Sequence, residues 1–122
     1  MDIQRMTVGP RMSQGVLWNG LYISSAQVAG DLDLDVAGQT VQVLETIDRL
    51  LREVGLDKTR ILAVAIWLAD IADYAAMNGV WDSWISKDHP PARACVAAQF
   101  SSPRIKVEMQ IQAAFEKGSL QK

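Results

Sequence analysis

The chain has 122 residues, of which 49% are apolar and 21% are charged, and its formal net charge is −2. This length suits one domain, 1–122, with one core, and the near balance of charge predicts neither nucleic acid nor an anionic membrane as a partner. No segment reaches the roughly 18 apolar residues that a membrane span requires, and no signal-peptide pattern opens the chain. A single cysteine cannot form an internal disulfide, so a cytoplasmic protein is expected.

The first part of the chain predicts β-strands. Residues 2–8 alternate loosely between polar and apolar side chains and end at Gly9-Pro10, which indicates a short strand followed by a break. Asn19-Gly20 then separates two segments suited to strands, Gly15–Trp18 and Leu21–Ser24. This dipeptide favours the type I′ turn that matches the twist of a hairpin, so a β-hairpin is predicted here.

A long helix follows an acidic loop at residues 31–35. The loop resembles the start of a calcium-binding loop, but Val36 stands where the sixth-position glycine is needed and Gln42 where the twelfth-position glutamate is needed. A solvated loop whose last acid, Asp35, caps a helix is therefore predicted. Between Val36 and Val54 the apolar residues follow one helical face, and Gly55 is the expected stop.

The second half predicts three more strands and one more helix. Ile61–Leu68 is almost wholly apolar, which is typical of a strand covered on both faces, by the first helix and by another layer or another subunit. A helix capped by Asp70 or Asp73 follows, and its aromatic stripe favours packing on the sheet over a ligand-binding box. Ala92–Gln99 and Lys106–Phe115 are the last strands, and the tail 116–122 is expected to fray.

The order of elements is β-ββ-α-β-α-ββ, which predicts an α+β fold with one mixed or mainly antiparallel sheet and two helices on a single face. The other face is expected to carry two polar sets, which are Arg93, Cys95, Ala97 and Gln99, and Lys106, Glu108, Gln110 and Gln112. Alternate residues of Ile61–Leu68 must also lie there. A contiguous apolar patch of this kind indicates an interface, and self-association is the simplest form.

Arg93 is the strongest candidate for chemistry. Its guanidinium can bind both oxygens of a carboxylate, and it shares one side of its strand with Cys95. Glu108 is expected on an adjacent strand, so the two charges form either a structural ion pair or a site for a carboxylate and a water. A nucleophilic Cys95 would need a base, and with His89 in a proline-rich loop an inert thiol is favoured.

Other kinds of site find no support in the sequence. Metal sites require several His, Cys or carboxylate residues at ligand spacing, and no such cluster is present. No glycine-rich phosphate loop occurs. A serine triad is also disfavoured, because Ser13 and Ser25 have no base in sequence context and the chain has one histidine. Neither a metal nor a cofactor is therefore predicted.

Several motifs in order resemble the Rid family of reactive intermediate imine/enamine deaminases, also called YjgF-type proteins, and within it a YoaB-like branch. The motifs are Pro91-Ala92-Arg93-Ala94-Cys95-Val96, Lys106-Val107-Glu108-Met109, Ser13-Gln14, Ser25-Ala26-Gln27, Gln39-Thr40 and Asn78. The resemblance covers nearly the whole chain. It implies a chorismate-mutase-like α+β fold, a homotrimer with active sites between subunits, and cofactor-independent hydrolysis of 2-imino or 2-enamino acids to 2-oxo acids and ammonia.

Carried over by position, the resemblance implies that Arg93 binds the substrate carboxylate and that Glu108 holds the attacking water. Cys95 would line the pocket, which would also include Ser25, the backbone around Ala26, and Met12. Three positions depart from the family pattern: Met12 replaces a tyrosine, Ala26 a glycine and Gln110 a glutamate. Two alternatives therefore stay open, namely a carboxylate-binding regulatory module without turnover and a trimeric interaction protein with a vestigial site.

Overall fold

The computed structural model describes residues 2–116, so the predicted fraying of the tail lies, apart from Glu116, outside the described residues. Two helices, α1 (Val36–Glu53) and α2 (Tyr74–Trp84), accompany a set of strands. The strands are β1 (Gln4–Val8), β2 (Ser13–Trp18), β3 (Leu21–Ser24), β4 (Gln27–Val28), β5 (Ile61–Leu68), β6 (Ala92–Ala97) and β7 (Val107–Ala114). Short 3-10 turns at Lys58–Arg60 and Ile71–Asp73 precede β5 and α2.

The strands form one mixed sheet in the order β1-β2-β3-β7-β5-β6, and β4 pairs with β7 beyond β3. Among the strands of residues 2–116, β5 and β6 run parallel because α2 carries the chain back between them, and the other pairings are antiparallel. The predicted α+β class is confirmed. β4 was not predicted, since two residues carry no periodicity. The expectation that β6 and β7 are neighbours is wrong, because β5 lies between them.

Local sequence signals place the turns and caps. Asn19 and Gly20 have φ of 52° and 84°, and two positive φ values are the requirement of a type I′ hairpin turn. The side chain of Asp35 accepts a hydrogen bond from the Gly38 amide at 2.9 Å, which confirms the predicted cap of α1. Gly55 has φ of 75° and follows α1 as the expected stop. Asp70 caps the 3-10 turn rather than α2, by accepting from the Ala72 amide.

The core lies between the helices and one face of the sheet. The inward residues of β7 are fully buried, as predicted, and they pack with the inward residues of β5 and with the apolar face of α1; this set includes Val107, Met109, Ile111, Val64, Ile66, Leu68, Val43, Leu44, Ile47 and Leu51. Three polar residues, Ser24, Gln39 and Thr40, are also buried, and Gln39 is the largest of them. Its amide donates to the Arg104 carbonyl and accepts from the Lys106 amide, which fastens α1 to the start of β7.

The second face of the sheet is uncovered in the chain, and it is called the open face below. β5, β6 and β7 contribute Ala63, Ala65, Trp67, Ala92, Ala94, Val96, Glu108, Gln110 and Gln112. The prediction that Arg93 and Cys95 lie on this face is wrong. Pairing with β5 sets Arg93 beside buried Val64 and Cys95 beside buried Ile66, so both side chains take the helix side.

Candidate functional site

Arg93 reaches from β6 under α2, where three side chains contact its guanidinium. Nη1 donates to Asn78 Oδ1 at 2.7 Å and Nη2 donates to the Tyr74 hydroxyl at 3.1 Å. The Arg93 Cζ atom lies 5.0 Å from the centroid of the Trp81 ring and 5.8 Å from that of Tyr74. Tyr74, Asn78 and Trp81 are spaced i, i+4 and i+7, so one face of α2 presents all three to the strand.

This arrangement leaves donors available on a half-buried cation. A guanidinium has five N–H donors, and two of them are given to Asn78 and Tyr74. Within residues 2–116 the other donors of Arg93 meet no acceptor. A carboxylate needs two such donors for a bidentate contact, so the group retains its capacity for one. Sequence reasoning named Asn78 only as part of a family motif and placed Tyr74 and Trp81 in packing; their spacing on the preceding helix was the signal for their role.

Glu108 lies on the open face, between Trp67 of β5 and Val28 of β4. Burial raises the pKa of its carboxyl above the ordinary value. Among the described residues 2–116 no hydrogen bond or ion pair engages this carboxylate. A half-buried carboxyl without a cationic neighbour is a stronger base than an exposed one, which suits a group that accepts a proton from water.

Arg93 and Glu108 do not converge within one chain. Arg93 pairs with Val64 and Glu108 with Trp67, on opposite sides of β5. Three residues along the strands and two strand spacings separate their Cα atoms by roughly 14 Å, and the side chains leave opposite faces of the sheet. The predicted cross-strand contact, whether as an ion pair or as a shared site, is therefore absent from the single chain.

Cys95 is a half-buried residue beside the core. Burial raises the pKa of its thiol, and the Arg93 charge opposes this effect only in part. The protonated thiol is thus favoured, in line with the predicted inert role. The ring of His89 lies 3.4 Å from the Ser86 hydroxyl in an exposed loop, so the imidazole interacts with Ser86 and no contact pairs it with Cys95 in the described chain.

A hydrogen-bond network holds the backbone at the predicted Ser25-Ala26 position. The Gln110 amide donates to the Ser24 carbonyl at 2.9 Å, and the Ser25 amide donates to the Gln14 carbonyl at 2.8 Å. The Gln27 side chain donates to the Ser25 carbonyl at 3.1 Å and to its hydroxyl at 2.8 Å. These contacts fix the Ser25–Ala26 peptide by its oxygen. The Ala26 N–H, on the opposite side of that peptide, has no acceptor within residues 2–116.

The remaining features of the site are open to solvent. Met12, in the loop before β2, is 51% exposed. A shallow depression of about 310 Å³ on the open face is lined mainly by Ala63, Ala65, Ala92, Ala94, Gln110 and Gln112.

Residues 2–116 contain no group of three His, Cys, Asp or Glu side chains that could hold a metal ion. Neither helix of the described chain is long and apolar enough to cross a membrane.

Comparison with known proteins places the chain in a family. The family model described as Endoribonuclease L-PSP matches residues 3–115. The RutC family protein YoaB of Escherichia coli is 41% identical over 115 residues, which cover 93% of this chain and 99% of that protein. The chain belongs to the Rid/YjgF family. A YjgF-family protein from Neisseria meningitidis has the same fold, with a TM-score of 0.91 and 44% identity over 95% of this chain and 97% of its own.

A more distant relative has a named activity. The 2-iminobutanoate/2-iminopropanoate deaminase of Escherichia coli is 26% identical over 110 residues, which cover 84% of this chain and 85% of the deaminase. The family assignment from sequence motifs is thus confirmed.

Proposed function

We propose that this protein hydrolyses reactive 2-imino or 2-enamino acids to 2-oxo acids and ammonia, with Arg93 binding the substrate carboxylate. The observation that carries the proposal is a guanidinium held by Asn78 and Tyr74 with donors left for a bidentate contact. A family relative named for this activity supports it. An imine carbon is already electrophilic, so orientation and one positioned water suffice, and no cofactor is required.

In the proposed reaction a water oxygen bonds to the imine carbon while the C=N double bond becomes single, and Glu108 takes a proton from that water and returns it to the nitrogen. The hydroxyl of the resulting carbinolamine then passes its proton to the nitrogen through the same carboxylate, the C–N bond breaks, and ammonia leaves as the C=O bond of the 2-oxo acid forms. The raised pKa of Glu108 makes it a better proton acceptor than an exposed carboxylate. Cys95 is proposed as a wall of the pocket rather than a reactive group, because burial keeps its thiol protonated.

The proposed site takes Arg93 and Glu108 from two copies of the chain. Within one copy they leave opposite faces of the sheet, on either side of β5. β6 is an edge strand and the open face beside it is apolar, with Val96 52% exposed. A ring in which the β6 edge of one copy meets the open face of the next would unite the two groups, and a homotrimer is the proposed form. Met12, Ser25 and Ala26 would complete the pocket.

We also propose that the protein acts in the cytoplasm on a small molecule and that neither nucleic acid nor a membrane is its partner. The family description mentions an endoribonuclease, but a net charge of −2 and a pI near 5.2 differ from the net positive charge typical of domains that bind a phosphate backbone. The small-molecule reading therefore has the better electrostatic support.

Mixing two inactive variants tests the site and its assembly together. Arg93→Ala and Glu108→Gln are each expected to lower ammonia release from freshly generated 2-iminobutanoate by about a hundredfold or more. When the two chains are unfolded and refolded together in equal amounts, about a quarter of the interfaces would combine an intact Arg93 with an intact Glu108, and that share of activity should return. Full activity of either variant alone would refute the residue assignment, and no recovery on mixing would refute the shared site.

One observation favours a second candidate, a carboxylate-binding regulatory module without turnover. Gln110 stands where the family pattern has a glutamate, and its amide is engaged with the Ser24 carbonyl. The network of this chain thus has one carboxylate fewer than the family pattern. Calorimetry with 2-oxobutanoate beside the ammonia assay separates the candidates, because micromolar binding with no acceleration of imine hydrolysis would select the regulatory module.

A further inference from the structure

The first residue of α2 carries a hydroxyl whose partner in the described chain is Arg93. Tyr74 accepts from Arg93 Nη2 at 3.1 Å, four residues before Asn78, which accepts from Nη1 at 2.7 Å. We infer that Tyr74 is a positioning residue: its hydroxyl fixes the plane of the Arg93 guanidinium and so directs the remaining N–H donors toward the substrate carboxylate. The consequence for catalysis rests on the proposed function, whereas the positioning itself does not.

Two hydrogen-bond acceptors are needed to orient the Arg93 guanidinium, because a single acceptor leaves it free to rotate. With Asn78 alone, the guanidinium can swing about its single Nη1 contact, and the planar fork loses a defined direction. The Tyr74 hydroxyl engages the second nitrogen, and the Trp81 ring, 5.0 Å from Cζ, limits tilting from one side. Two-oxygen binding of a carboxylate requires a fixed orientation of the guanidinium plane, whereas a single hydrogen bond tolerates more rotation.

The role of the Tyr74 hydroxyl can be tested without disturbing the fold. Tyr74 is 44% exposed, so its ring contributes little to the core. Its backbone amide donates to the Ile71 carbonyl, a contact that phenylalanine preserves. The ring also lies 5.8 Å from Arg93 Cζ, and phenylalanine keeps that contact as well. Tyr74→Phe therefore removes one hydrogen-bond acceptor and leaves the helix start and the ring contact in place.

Steady-state kinetics with a 2-imino acid tests the role. Tyr74→Phe is expected to raise KM roughly three- to tenfold with kcat within about twofold of wild type, because loss of one partly exposed bond to a charged group weakens carboxylate binding in ground state and transition state alike. Ser83→Ala is the matched control, since it removes an exposed hydroxyl from α2 whose partner within residues 2–116 is the Val80 carbonyl. An unchanged KM, or a fall in kcat alone, would overturn the inference.

A second readout does not depend on turnover. NMR of the Arg93 side chain reports rotation about the Cζ–Nη bonds, which two acceptors should slow in the wild-type protein and which Tyr74→Phe should accelerate, with Ser83→Ala unchanged. If the wild-type protein releases no ammonia, the proposed function fails while this measurement still decides the positioning. Equal rotation rates in wild type and Tyr74→Phe would refute the role of Tyr74 whatever the activity.

Discussion

Arg93→Lys keeps the positive charge but removes the planar guanidinium, so it tests whether substrate binding depends on two parallel hydrogen bonds or on charge alone. The guanidinium of Arg93 donates from Nη1 to Asn78 and from Nη2 to Tyr74, and its other N–H groups can still donate to two carboxylate oxygens. A lysine has one nitrogen with three donors, so it cannot keep both acceptors and also bind two oxygens. Loss of one charge-assisted hydrogen bond to substrate costs about 1.5–3 kcal/mol. This corresponds to a fall in kcat/KM of about 10- to 150-fold, and Arg93→Ala, which loses both bonds, should fall by about 10² to 10⁴.

The assay is ammonia release from 2-iminobutanoate generated in place, measured above the uncatalysed rate. Arg49→Lys is the control, because Arg49 is an exposed arginine of α1 that pairs with Glu53 and has no part in the site. Thermal unfolding of each variant separates loss of function from loss of fold. An Arg93→Lys variant with full kcat/KM would refute the bidentate reasoning, because charge alone would then suffice.

Further predictions concern stability and assembly. Burial raises the pKa of Glu108 in the folded state, so ionisation of its carboxyl opposes folding. As the pH rises from below 4.5, the ordinary pKa of the group, to neutrality, the wild type should therefore lose free energy of unfolding relative to Glu108→Gln. A difference between the two proteins that stays constant with pH in urea unfolding would contradict this. Gly15→Ala would set a Cβ 2.6 Å from the Tyr22 ring and should destabilise by about 1–3 kcal/mol in urea, whereas Gly79→Ala, which meets nothing within 4 Å, should not destabilise. Val96→Asp puts a charge on the open face, so it should shift the proposed homotrimer toward monomer in light scattering. An unchanged mass, or a monomeric wild type, would contradict the proposal that the open face is an interface.

The elements that the sequence predicts well are those whose signals are local. A type I′ turn needs two residues with positive φ, and Asn19-Gly20 supplies them regardless of the rest of the chain. The ends of α1 follow from a capping side chain at Asp35 and a glycine at Gly55, each of which acts within one turn. The apolar run Ile61–Leu68 is long enough to identify a strand from its own composition.

The candidate site is predicted less completely because its geometry depends on pairing between distant segments. Alternation shows that Arg93 and Cys95 share a side of β6, but it does not say which side. The neighbours Ala92, Ala94 and Val96 are small and apolar, which invites an assignment to the core, yet pairing with β5 exposes them. The contacts of Arg93 with Tyr74 and Asn78 follow from that side, and sequence spacing on α2 only made them available.

The sequence by itself determined the family and the class of fold, because motif order and hydrophobic period can be read along the chain. The tertiary structure decided that β5 separates β6 from β7, and with it that Arg93 and Glu108 leave opposite faces of the sheet. The physical reason is that the apolar strand β5 pairs along both of its edges, with β6 on one side and β7 on the other, while its residues Val64, Ile66 and Leu68 are buried in the core. The residues adjacent to Arg93 and Glu108 in the sequence do not indicate the strand order or the face of the sheet on which each side chain lies.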